Sequence, residues 1–286
     1  MNKRKFGKHN DLLSIVGLGG ISIKNSGQQS ATNLVDFAID NGVNYFDVAP
    51  GYGDAQELMG NALFGKRNQV FLACKSTNRD KKGSQKDLEN SLRLLQTDRF
   101  DLYQLHAMKT EEDFEKATSQ HGVLETLVKA RKEGKVRYLG FSCHSIRVAE
   151  LLLDFFEFDS ILFPVNWALY LKSKFGPSII ERCQKENIAV LCLKAMAETL
   201  WEDPNNKEFE KCWYKPLSDQ KMIDLSVKFT LSQPVVSFLP PGDEKLFKMG
   251  LKAANNYSEI SEYEFKYLEN IAKNTSPIGS EHEVFI

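Results

Sequence analysis

Short runs of apolar, β-branched and aromatic residues recur along the chain, and between them apolar residues return every three or four positions. The runs are SIVGLG (14–19), NYFDVA (44–49), VFLACK (70–75), DLYQLH (101–106), RYLGFSC (137–143), SILFPV (160–165), IAVLCLKA (188–195) and VVSFLP (235–240). Each is almost continuously apolar, as a strand covered on both faces must be. The intervening stretches ATNLVDFAIDN, SQKDLENSLRLLQ, GVLETLVKARKEG and PSIIERCQKEN read as amphipathic helices. In the second, Leu88, Leu92 and Leu95 recur at helical spacing and the charges fall on the other side. Strands alternating with helices predict a parallel sheet, and eight units predict closure into an α/β (β/α)8 TIM barrel. A doubly wound sheet is the competing architecture, but GLGG (17–20) runs into Ile-Ser-Ile, which reads as a turn and not as a dinucleotide fingerprint.

Two additions frame the barrel. RKFGKHNDLLS reads as an N-terminal β-hairpin able to close the barrel's bottom, and SEYEFKYLENIAKN as an extra C-terminal helix. With no linker, low-complexity stretch or internal repeat, residues 1–286 are expected to form one domain. The longest connections, 107–120 and 196–218, follow the fourth and seventh runs. Loops of that length in a compact domain are usually functional.

Composition narrows the partners. At 286 residues and 42% hydrophobic content the chain can fill a barrel-sized core. A formal net charge of −1 predicts no electrostatic capture of nucleic acid or of an anionic membrane, and no run is long enough to span one. MNKRK followed by LLSIVGLGGIS imitates a secretory leader, but polar FGKHND separates them and no small-residue cleavage site follows, so a cytoplasmic protein is expected. The five cysteines show no metal-ligand spacing and read as reduced thiols, with no metal site expected.

In such a barrel the chemistry sits at the carboxyl ends of the strands. The second run ends on Asp47, and Tyr52 follows between Gly51 and Gly53; the third ends on Lys75 and the fourth on His106. Taken singly, Asp47 could cap a turn, Tyr52 could be a packed aromatic and His106 a satisfied core histidine. Lys75 is harder to dismiss, because a lysine ending a buried run must find a partner. Four proton-handling groups at one depth of one barrel point instead to a reaction centre. A phenol titrates near ~10; a lysine cation beside it favours the phenolate, and an aspartate can hold that lysine. Such a site gives a proton to an oxygen that turns negative as a nucleophile attacks its carbon, and a hydride from nicotinamide is one such nucleophile.

YFDVAPGYGDAQELMGNAL, FLACKS and DLYQLHA resemble the aldo-keto reductases, as do the hairpin segment and KVRYLGFSCHS, so the likeness spans nearly the whole chain. The resemblance implies a nicotinamide-dependent oxidoreductase acting on a small carbonyl or alcohol, with Tyr52 as proton donor, Lys75 lowering its pKa, Asp47 orienting Lys75 and His106 placing the carbonyl oxygen. It also places Ser142, Cys143, Asn166, Leu193 and Lys194 around the cofactor. Here the pattern departs: Cys143 replaces an asparagine, Leu162 falls near a glutamine position, and Leu193 stands for a stacking aromatic. Lys194 takes a position often held by serine, close to the expected pyrophosphate. Gly242 opens a helix at the corner where barrels bind phosphate, with Lys245 and Lys248 in its first turns, so NADP is the expected cofactor. Asp243 and Glu244 could instead bind a ribose hydroxyl, which keeps NAD possible. Met249-Gly250 stands where the family carries a glutamate-asparagine pair for the adenosine. His144, Trp167, Met196 and Trp201 are expected along the substrate wall. Two other readings compete: a Schiff-base lyase or aldolase using Lys75, and a nicotinamide-binding regulatory protein without turnover.

Overall fold

The computed structural model describes residues 1–285. A short antiparallel pair, β1 (Lys3–Lys5) and β2 (Leu12–Ser14), precedes β3 (Gly17–Gly19), α1 (Gln28–Asp40), β4 (Tyr45–Asp47), α2 (Ala55–Ala62), β5 (Phe71–Ser76) and α3 (Lys81–Leu94). Then follow β6 (Phe100–Met108), α4 (Glu111–Thr118), α5 (Val123–Lys132), β7 (Val136–Cys143), α6 (Ile146–Phe155), β8 (Ser160–Pro164) and α7 (Pro177–Glu186). The chain ends with β9 (Ala189–Leu193), β10 (Ala197–Leu200), β11 (Tyr214–Pro216), α8 (Gln220–Leu231), β12 (Ser237–Phe238), α9 (Glu244–Asn255) and α10 (Glu262–Asn274).

Strands β3 to β9 and β12 form one parallel sheet in the order β12-β9-β8-β7-β6-β5-β4-β3. The Phe238 N–H donates to Ile15 O at 3.0 Å, beside a parallel Val16–Phe238 bridge, and these contacts close the barrel. Alternation along each strand sorts the side chains into two layers. Leu102, Leu162, Leu191 and Phe71 fill the interior, where the hairpin adds Phe6 and Leu13 as a plug. Leu72, Tyr103, Phe141 and Phe163 face the helices and join the larger core. The eight strands, the hairpin and the C-terminal helix thus follow the pattern read from the sequence.

Three readings need correction. GLGG is not a turn throughout: Gly17 to Gly19 form β3, and only Gly20 enters the short turn after it. The stretch 107–120 is not a bare loop but carries α4. Only Ala117 of that helix is fully buried, so apolar periodicity is weak; a reciprocal capping box between Thr110 and Asp113 starts it. The 196–218 stretch holds the β10–β11 hairpin, paired from Ala197–Pro216 to Leu200–Tyr214. Trp201 staples its tip by donating Nε1–H to Cys212 O at 2.9 Å.

Candidate active site

Strand β4 points Tyr45 and Asp47 into the barrel, and the register sets Asp47 beside Ala73 and Lys75 beside Gln104. Asp47 and Lys75 are 2% and 1% exposed and form a direct ion pair, Lys75 Nζ to Asp47 Oδ1. Lys75 also donates to Val48 O at 3.3 Å. The second carboxylate oxygen of Asp47 accepts from Tyr45 Oη and from Gln104 Nε2, both at 3.2 Å. The carboxylate thus has three partners, which is the condition for burying it.

A turn after β4 carries Tyr52 back over this pair. Its N–H donates to Ala49 O at 3.1 Å, and Gly53 takes φ +59°, a conformation that favours glycine. Lys75 Nζ lies 5.3 Å from the centre of the Tyr52 ring. His106, near the end of β6, meets the same ring edge-on at 5.7 Å and 78°. The four groups picked out at the strand ends are therefore neighbours.

Their electrostatics differ from a simple lysine-lowers-phenol scheme. Burial raises the pKa of Tyr52, and the nearby Lys75 cation only partly offsets it, so the phenol stays above its ordinary value. Burial works against the Lys75 charge, but Asp47 outweighs it and the lysine ends above its usual pKa. His106 is lowered to about 3 by burial first and then by the Lys75, Arg79 and Lys109 cations. The site in this state offers a protonated phenol, a fixed ammonium and a neutral imidazole.

Beside it a cavity of about 230 Å³ opens at the mouth, lined by Asp47, Tyr52, Leu193, Lys194, Trp213 and Tyr214 among others. Lys194 follows β9 at φ +66° and pairs with no carboxylate among the described residues. Its Nζ sits 4.8 Å and 4.7 Å from the ring centres of Trp213 and Tyr214, a cation held by aromatic faces alone. Burial brings it down to about 8. Lys211 reaches across from the same long segment and donates to Ser22 O at 3.2 Å. At the opposite rim a Cβ on Gly242 would stand 2.0 Å from Ile21 Cγ2, so only glycine lets the eighth-strand corner approach the first.

The other expected cofactor contacts divide. Ser142 Oγ accepts the Ala107 N–H at 2.6 Å and keeps its own hydrogen for donation. Cys143 is turned away: it is fully buried between strand and helices, with Sγ–H donating to Ser145 O at 3.1 Å. Asn166 spends all its capacity inside the chain, donating to Lys194 O and Ala197 O and accepting the Ala168 and Leu169 N–H groups. Lys245 and Lys248 line an open groove of about 600 Å³ on α9, where Lys248 is paired to Glu244 at 2.6 Å. Asp243 Oδ1 caps α9 by accepting the Leu246 N–H.

The substrate wall needs correction at three positions. Trp167 packs with Phe229, Leu268 and Ala272 on the outer layer, because the strand has ended at Pro164 and the chain has turned outward. Met196 is fully buried, its Sδ 3.0 Å from where a Gly250 Cβ would stand. Trp201 is occupied by the hairpin. His144 alone lies buried beside the mouth with an unpartnered Nδ1, its pKa held well below normal by burial and then by Lys194. The sequence reading missed Tyr45 and Gln104 beneath Asp47. A glutamine inside the apolar run DLYQLH was the available signal.

Residues 15–273 match the family model described as the Aldo/keto reductase family. The chain is 28% identical to the uncharacterized oxidoreductase YqkF of Bacillus subtilis, over 96% of this chain and 97% of the relative. It is 34% identical to aldo-keto reductase YhdN of the same organism, over 67% of this chain and 60% of the relative. Among solved structures, aldo-keto reductase AKR11C1 of Bacillus halodurans in its holo form aligns at TM-score 0.75 and 21% identity, covering 98% and 99% of the two chains. An aldo/keto reductase from Klebsiella pneumoniae in complex with NADP and acetate aligns at TM-score 0.72 and 19% identity over 100% of both. At such identities these structural matches carry the fold.

Proposed function

The chain belongs to the aldo/keto reductase family, and from that premise and the mouth geometry we propose that it interconverts a small carbonyl compound and its alcohol with a nicotinamide cofactor. The observation that carries the reading is the buried Asp47–Lys75 pair beneath Tyr52, with neutral His106 edge-on to the phenol. The chemistry a reduced nicotinamide would supply if held at this mouth is hydride for the carbonyl carbon. Tyr52 gives its proton to the carbonyl oxygen, and Lys75 stabilises the phenolate left behind. His106, uncharged, holds that oxygen by a hydrogen bond. Asp47 keeps Lys75 charged and in place.

The residues present fit such a cofactor in character. Lys194 lacks an anion, Lys211 faces the same cavity, Ser142 retains a hydroxyl donor for the amide, and Leu193 offers an apolar floor. The cavity alone is smaller than the ~300–1,000 Å³ usual for pockets that hold drug-sized ligands, so a dinucleotide must extend into the α9 groove or lift the 201–213 segment. The proposed cofactor is NADP(H). Lys245, which pairs with no carboxylate among the described residues, supports it, and the structurally similar Klebsiella pneumoniae aldo/keto reductase is in complex with NADP. Asp243 and Glu244 oppose a phosphate there, so NADH is the comparison to make. Lys75 as a Schiff-base nucleophile is disfavoured, because its pairing with Asp47 keeps the amine protonated.

The test is fluorescence titration with both reduced cofactors, followed by absorbance at ~340 nm across a panel of aldehydes and ketones. Binding with substrate-dependent oxidation is the expected result. Binding without any oxidation would favour a regulatory role, and no binding would remove the proposal.

A further inference from the structure

His106 sits where the barrel ladder is broken. Along β6, Tyr103, Leu105 and Met108 face the helices, while Leu102 and Gln104 face the axis. Leu105 pairs with Phe141 and Met108 with Cys143, so His106 and Ala107 together stand against Ser142 alone. This is a β-bulge of one extra residue, a device that re-aims side chains next to functional sites. Ala107 takes φ +51°, which an alanine rarely adopts. Neither His106 nor Ala107 has a register partner on β7.

Two side chains supply what the ladder lacks. Arg79 Nη2 donates to His106 O at 2.7 Å and to Ala107 O at 3.2 Å. Ser142 Oγ accepts the Ala107 N–H from the other side. Arg79 is itself fixed. Its Nε donates to Asp113 Oδ1 at 2.9 Å, and its own carbonyl accepts the Val123 N–H at 2.8 Å. Asp113 Oδ2 meanwhile accepts the N–H groups of Lys109 and Thr110 at 3.1 and 3.2 Å, just beyond the bulge.

We propose that Arg79, braced by Asp113, is a positioning residue that holds the His106–Ala107 bulge and thereby aims the imidazole at Tyr52. An arginine suits the task because one planar fork reaches two carbonyls and a carboxylate at once, which a lysine ammonium cannot do with fixed geometry. The consequence for turnover rests on the function proposed above; the effect on His106 does not.

The experiment therefore has two arms, run on Arg79→Met, Arg79→Lys and Asp113→Asn, with Arg147→Met as a surface control. In the first, the His106 ring is followed by NMR of 15N-histidine protein, assigned through His106→Asn, and the Ala107 amide by hydrogen exchange. The Arg79 variants should move the His106 resonances and speed Ala107 exchange, Asp113→Asn less so, and Arg147→Met not at all. In the second, Arg79→Met should lower kcat by about 10- to 100-fold, the cost of a misplaced catalytic group, with NADPH affinity within about twofold of wild type. Arg79→Lys should recover part of that loss, and added guanidinium, but not urea, should partly restore Arg79→Ala.

Unmoved His106 resonances in both Arg79→Met and Arg79→Lys would overturn the proposal whatever the rates. Moved resonances with wild-type kcat would do so too. Moved resonances in a protein whose wild type never oxidises NADPH would leave the bulge clamp standing and remove the proposed function instead.

Discussion

The two sides of the barrel mouth manage charge in opposite ways. On the β4–β6 side each ionised group has a built partner: Lys75 has Asp47, and Asp47 has Tyr45 and Gln104 as well. On the β9–β12 side Lys194 lies over the rings of Trp213 and Tyr214, Lys211 donates to a backbone carbonyl, and Lys245 lies over the ring of Phe209; none of the three pairs with a carboxylate among the described residues. The first side is complete within the chain. On the second, under the proposed function, these three lysines are the groups that would meet the cofactor's phosphates. The contrast teaches where substitution should damage chemistry and where it should damage binding.

The largest effect belongs to the completed side. Tyr52→Phe keeps the ring and removes the proton, so single-turnover oxidation of NADPH should slow by ~10²–10⁴-fold with cofactor affinity nearly unchanged. A loss below tenfold would break the comparison. Lys75→Met should slow turnover similarly and also destabilise the fold, because Asp47 is left buried and unpaired; about 3–5 kcal/mol in urea unfolding is expected. Whatever rate survives should persist to higher pH, since the cation that pulls the phenol down is gone.

Next comes the open side. Lys194→Met should weaken NADPH binding by about tenfold or more, the weight of one charge-assisted contact, while kcat changes little. The pH dependence sharpens this. Lys194 is lowered to about 8, so it is charged below that pH and loses its charge above it. Wild-type affinity should fall as pH rises through 8, and Lys194→Arg should abolish the fall. Identical profiles would mean that the lysine is not the anion's partner.

A smaller effect concerns the 201–213 segment, which brings Lys211 and Trp213 over the cavity. Protease cleavage there should slow when NADPH is added. Equal rates with and without saturating cofactor would show that the segment does not respond to the ligand.

The smallest is an acid effect on the paired side. His106 is lowered to about 3 from an unfolded value near ~6.5, so the unfolded chain takes up the proton first. Its contribution is whole above ~6.5 and declines as pH falls towards 3. His106→Asn should flatten the decline in unfolding free energy, measured by urea titration, between pH ~6.5 and ~4.5 by at most ~1.4 kcal/mol per pH unit. His144 is shifted the same way and should be replaced in a parallel variant.

Sequence alone located the eight strands, the plugging hairpin, the last helix and the four side chains that the barrel gathers at one mouth. Those features are local: strand alternation and position at a strand's carboxyl end fix which way Asp47 and Lys75 point, whatever the rest of the chain does. What followed the strands was less legible. Trp167, Met196 and Asn166 lie two or three residues past strand ends, where the chain turns and each side chain's direction depends on what packs against it. Helix α4 escaped notice because its caps, not apolar periodicity, start it. The aromatic faces on Lys194 come from residues nineteen and twenty positions later, brought over by the β10–β11 hairpin. Arg79 finds its carbonyl partners 27 and 28 residues away, in a bulge that exists only once β6 lies against β7. Contacts of that kind are made between backbones whose relative placement no local pattern encodes, so they were decided by the closed barrel.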